Sequence, residues 1–140
     1  MTARARTQPV ITLAAAADLV ARAIAHAAEN GWTVAAVVVD PSAHVVASGR
    51  MDGAPHQILD FAADKAFTAT LGKPSHAFGE RMLSAPDIGI GLANRPRLCG
   101  WGGGVPIRED GALIGAIGVS GAESHEDIAC AEAALAGQDL

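Results

Sequence analysis

Three consecutive glycines, Gly102-Gly103-Gly104, with Gly100 close by, are the first residues whose type and spacing suggest chemistry. Adjacent glycines let the backbone approach a ligand closely and adopt positive φ. Backbone N–H groups exposed in this way can cradle an anion. The same run can equally serve a bulge or a tight packing contact. No Gly-Lys-Ser/Thr follows, and the glycines precede a strand, so this is neither a P-loop nor a dinucleotide fingerprint. A second group is Arg50-Met51-Asp52-Gly53-Ala54-Pro55-His56, at the end of an apolar segment. Arg50 can clamp a carboxylate through two parallel hydrogen bonds, or pair with Asp52 or Asp60 to order the turn. His56 can ligate a metal or haem, or act as a general base near neutral pH. It can also be a plain surface residue at a helix start.

Asp60, Asp64 and Lys65 form a third group. The two carboxylates share a helix face at i, i+4, where they can bind a cation or simply be solvated. Lys65 falls among Ala62, Ala66 and Ala69, so its ammonium must be desolvated and paired. A fourth group, Glu123-Ser124-His125-Glu126-Asp127, opens the last helix. Acidic residues there complement the helix dipole; a metal site with His125 is the alternative, but no ligand spacing of a known kind is present. Ser120 precedes Gly121 without a nucleophile elbow. His44 and His76 read as ordinary surface or partly buried residues. Cys99 and Cys130 are too few and too far apart for a disulfide scaffold.

These residues need elements to position them. Leu13, Ala16, Ala17, Val20, Ile24, Ala27 and Ala28 recur at helical spacing, which predicts a helix over 13–30 with Thr12 as its N-cap and Gly31 beyond its end. The β-branched run 33–39 predicts a strand buried on both faces. Residues 40–43 turn, and 44–51 return as a second strand of a hairpin. Helices follow over 56–70 and about 75–83. Residues 84–98, broken by Pro86, Gly89, Gly91, Asn94 and Pro96, allow only short elements. A hairpin of 105–107 and 112–120 about the turn 108–111 leads into a helix over about 123–136. Hairpins dominate, so the sheet should be mainly antiparallel, with helices burying its apolar faces.

The chain has 140 residues, enough for one core. It reads as a single domain over 1–140 with a loose arm at 1–9. Half the residues are apolar and the mean hydropathy is +0.27, which excludes disorder. The net charge of −5 and the absence of Tyr argue against nucleic acid as a partner. The segment 10–20 is interrupted by Thr12 and Asp18, so neither a signal peptide nor a membrane span is read, and the expected location is cytoplasmic.

Several blocks together resemble the GlcG/HbpS-like family of haem-binding or haem-degrading domains. They are Val37-Val38-Val39-Asp40, Arg50 to Ala54, Ala63 to Ala69, Gly102 to Ile107, Gly111 to Gly121, and Asp127. The resemblance spans about residues 12–136, and its last glycine-rich block is the most specific. The module is also similar to the C-terminal domain of one class of corrinoid adenosyltransferases. The resemblance implies an α+β, profilin-like fold: a mainly antiparallel five-stranded sheet with helices on both faces. It implies homo-oligomers, often octamers, some of which bind haem or iron. Ala54-Pro55-His56-Gln57 departs from the family's common pattern after Gly-Ala.

Two functional expectations follow. The first is a small-molecule or haem-binding homo-oligomer, with Arg50, Asp52, His56, Gly102, Gly103 and Gly104 as the ligand wall. The second is an isomerase, hydrolase or deaminase of a small carboxylate-bearing metabolite. In it Lys65, with His56 or Glu80 moving a proton, converges with Arg50 near the glycine run. A purely structural role, with glycines and apolar helices serving packing alone, is the third possibility.

Overall fold

The computed structural model describes residues 2–138; Met1, Asp139 and Leu140, the ends of the expected 1–140 domain, lie outside the described residues. The elements are α1 (Leu13–Glu29), β1 (Ala35–Val39), β2 (Val45–Arg50), α2 (Gln57–Ala69), α3 (Ser75–Ser84), α4 (Pro86–Ala93), β3 (Gly104–Glu109), β4 (Ala112–Ser120) and α5 (Ser124–Ala136). Thr12 caps α1 by accepting a hydrogen bond from Ala15 N at 3.1 Å, and Gly31 adopts φ 76° just beyond it. Glu123 and Glu126 form a reciprocal capping box that starts α5. Acidic residues at this helix start therefore serve the helix itself.

The strands form one antiparallel sheet in the order β2-β1-β4-β3. Period-two alternation sorts β1 between two cores. Ala36 and Val38 pack with Leu19, Ala23, Ile117, Val119 and Cys130 beneath α1 and α5. Ala35, Val37 and Val39 pack with Ala62, Ala66, Ala69 and Ala116 beneath α2. The small side chains of α2 bring its backbone close to the sheet. At Gly118 an added Cβ would strike the carbonyl oxygen of Ala62, and at Gly104 that of Lys65. Glycine at both positions is thus a condition for this approach.

Two expectations need correction. The sheet has four strands, not five. The hairpins read from the residues account for all four, and the fifth came only with the resemblance. Ile11 N does donate to Ile114 O at 3.0 Å, beyond the last β1–β4 pairing of Val39 with Ala116. Thr12 then turns the chain directly into α1, so no ladder develops. The irregular stretch 84–98 contains a helix, α4, with Pro86 in its first turn where a missing N–H costs nothing. No helix among the described residues is long and apolar enough to cross a membrane.

Candidate functional site

Lys65 lies on the inward face of α2 and is only 2 % exposed. Its Nζ donates to Val119 O at 3.0 Å and to Asp127 Oδ2 at 3.0 Å. The other carboxylate oxygen of Asp127 accepts from Ala122 N at 3.0 Å. One ion pair therefore ties α2, the end of β4 and the first turn of α5 together. Burial pushes the Asp127 carboxyl above the usual carboxylate range, against the opposing pull of the Lys65 ammonium.

The pair forms the floor of a cavity of about 320 Å³, whose walls include Ile58, Phe61, Trp101 and Ser120. Phe61 and Trp101 meet edge to face at its mouth, with ring centroids 5.6 Å apart. Ser120, almost fully buried, makes no hydrogen bond through its hydroxyl to the described residues.

A second hollow, a groove of about 470 Å³, lies on the other side of Trp101. His76, Gly79, Glu80, Met82 and Leu83 of α3 supply one wall; Gly100, Trp101, Gly102 and Ser124 complete it. The lining is mostly apolar, with Glu80 its one charged side chain. The Nδ1 of His76 is buried and has no hydrogen-bond partner among the described residues.

Trp101 and Ser124 line both hollows, and the glycine run follows Trp101 directly. Gly103 adopts φ 130°, and its carbonyl accepts from Val119 N at 3.0 Å. Gly104 N donates to Ser75 Oγ at 2.8 Å, and that hydroxyl donates to Trp101 O at 2.6 Å. An added Cβ at Gly102 would strike Ile128 of α5. All three glycines are buried, and only Gly102 lines a hollow.

The structure does not gather the other candidates around Lys65. Glu80 lines the second groove. Arg50, Asp52 and His56 are exposed and line neither hollow. The Arg50 guanidinium donates to Ala54 O, so the carbonyl, not Asp52 or Asp60, orders this turn. Asp64 faces Arg97 at 3.6 Å, and that guanidinium stacks 4.2 Å over the Phe67 ring. Partial burial raises the Asp64 carboxyl in spite of Arg97. His125 is exposed, and no group of three or more His, Cys, Asp or Glu side chains able to hold a metal ion occurs among the described residues. His76, Ser120 and Trp101 emerge only from the fold. Ser75-His76 opens a short polar helix, and no pattern in the sequence marks that His as facing a groove.

A layered α+β domain with a buried lysine–aspartate pair under a glycine-rich strand start defines the class, and comparison with known proteins supplies the family. Residues 11–136 match the family described as haem degrading protein HbpS-like, and the chain belongs to it. It is 33 % identical over 115 residues to protein GlcG of Escherichia coli K12, covering 82 % of this chain and 84 % of that one. It is 35 % identical over 127 residues to an uncharacterized 15.0 kDa protein of Citrobacter freundii encoded between dhaT and dhaS, covering 89 % of each. Among solved structures, Klebsiella pneumoniae ORFY superposes with a TM-score of 0.90 at 30 % identity, over 97 % of this chain and 95 % of that one. A double mutant of Streptomyces reticuli HbpS superposes at 0.88 and 31 % identity, over 100 % and 97 %.

Proposed function

We propose that this protein binds haem, as a homo-oligomer of the GlcG/HbpS type, in the groove beside Trp101. One observation carries the reading: an imidazole, that of His76, and a thioether, that of Met82, line the same largely apolar groove. Imidazole and thioether are side chains that haem iron takes as axial ligands, and Leu83 and Trp101 offer apolar surface to a macrocycle. The residues present therefore fit the group. His76, or Met82 in its place, would hold the iron, and the bound haem would supply redox and oxygen chemistry. Glu80 is the only charged wall residue, so the propionates belong in water at the open mouth.

The oligomeric part draws on α3 and α4. Among the elements α4 packs only on α3 and buries none of its residues. Leu83 is 91 % exposed and Ile90 69 %. Apolar surface of this kind marks a contact face. A profilin-like layering and a cytoplasmic location complete the proposal; the free thiols of Cys99 and Cys130 suit a reducing compartment. The alternative, an enzyme of a small carboxylate-bearing metabolite, rests on Lys65 alone, because Glu80, Arg50 and His56 do not share its cavity.

Haem titration tests the proposal. The wild-type chain should develop a saturable Soret band, and His76→Ala should abolish or shift it. His56→Ala and His125→Ala should leave it unchanged. A wild-type chain without the band refutes haem binding; loss of the band in His56→Ala alone moves the site to the start of α2.

A further inference from the structure

The cavity beneath Phe61 and Trp101 has a polar floor that the haem proposal does not use. An ammonium carries three N–H donors. Lys65 directs two of them to Val119 O and Asp127 Oδ2, and the third has no acceptor among the described residues. The Ser120 hydroxyl is also unpartnered at 4 % exposure. The two groups are neighbours, since Val119 O belongs to the peptide bond leading into Ser120. Both groups line this cavity, where an entering molecule can accept hydrogen bonds from them. One oxygen atom of a ligand can satisfy both.

The surrounding charge selects what carries that oxygen. Lys65 and Asp127 cancel each other. The positive end of α5, otherwise attractive to an anion, is already occupied by the Glu123 and Glu126 carboxylates. An incoming anion would meet Glu123, while the only cation lining the cavity, Lys65, is already balanced by Asp127. A neutral carbonyl oxygen meets no such repulsion. The walls above the floor, Ile58, Phe61 and Trp101, are apolar and largely aromatic. We propose that this cavity binds a small neutral amide or carbonyl compound with a flat apolar body, its oxygen accepting hydrogen bonds from Lys65 Nζ and Ser120 Oγ.

Benzamide is a suitable probe, titrated into the full chain without haem and followed by the NMR signals of the Trp101 indole and the Gly121–Ser124 amides. Saturable shifts are expected, with affinity falling by about three- to tenfold in Ser120→Ala, the usual scale for one lost hydrogen bond. Benzoate, the same ring with an anionic head, should bind several-fold more weakly. Wild-type chain without saturable shifts, benzoate binding as tightly as benzamide, or an unchanged affinity in Ser120→Ala each overturns the proposal. If Ser120→Ala loses its dispersed spectrum, Ser120→Cys, a near-isostere with a weaker donor, takes its place with the same expected direction. Haem is absent from the titration, so failure here leaves the haem reading standing.

Discussion

Trp101 divides two hollows that are built differently. The floor of the first comes from α2, β4 and α5, three elements that also make the core. Its charged pair is buried and hydrogen-bonded on both sides. The second is walled by α3, which carries one buried residue, Ser75, and by the connection from Gly100 to Gly102. In the first hollow the floor residues Lys65, Ser120 and Asp127 are buried on elements that make the core, so they cannot change without the fold responding. In the second, side chains on a lightly packed helix can change and leave the scaffold intact. A fold with one fixed and one adjustable hollow can keep its architecture while its ligand varies.

The largest expected effect tests the fixed hollow. Lys65→Met leaves the Asp127 carboxylate buried without its cation, which should cost about 3–5 kcal/mol of stability. The double variant Lys65→Met/Asp127→Leu removes both charges and should recover most of that loss. His76→Ala, on the adjustable side, should shift the urea midpoint far less than Lys65→Met. Equal losses from His76→Ala and Lys65→Met would erase the distinction between the hollows.

A smaller effect comes from the glycines. Gly118→Ala sets a methyl group against the Ala62 carbonyl and must push α2 off the sheet. Overpacking of this kind costs about 1–3 kcal/mol. Gly91 in α4 has nothing within 4 Å of an added Cβ. There Gly91→Ala should be neutral or stabilise by up to about 1 kcal/mol, from helix propensity alone. Denaturation of the two variants side by side measures the contrast, and a tolerated Gly118→Ala would mean that α2 is not held as close as the structure places it.

The same division separates what the sequence discloses from what it hides. Alternation and helical spacing disclose α1, β1 and α2, because burial on one face leaves a periodic mark. They also place Lys65 correctly on an apolar helix face. Its partner Asp127 lies 62 residues further along the chain, and its acidic neighbours suit a helix start equally well, so the pair is invisible before folding. The glycine run reads as ligand cradle or packing contact with equal ease until Ile128 and the Lys65 carbonyl are seen beside it. α4 is hidden because Pro86, Gly89 and Gly91 speak against a helix locally, while its contact with α3 is a tertiary fact. His76 leaves no mark because a groove needs no periodicity.

The two thiols sharpen the contrast at the smallest scale. Cys130 sits in α5 with no exposed surface, and burial, aided by Asp127 and Glu126, pushes its thiol up to about 11. Cys99 lies in the connection toward Trp101, half-buried, with its backbone N–H held by Thr68 Oγ1 at 2.8 Å. Burial raises its thiol too. Reaction needs both thiolate and access. Iodoacetamide at about pH 8 should therefore modify Cys99 first and reach Cys130 only in denaturant, as read by intact mass. The proton linkage has a definite sign. The folded state binds the Cys130 proton more tightly than the unfolded state does, so the stability it contributes is full below about pH 9, where the free thiol titrates, and is lost as pH rises through about 11. Replacing Cys130 by Ala should flatten that alkaline decline, whereas Cys99→Ala should change it less. Equal labelling of both thiols at neutral pH would mean that α5 opens as readily as the loop at Trp101, and the lysine cavity would then not be the fixed half of the molecule.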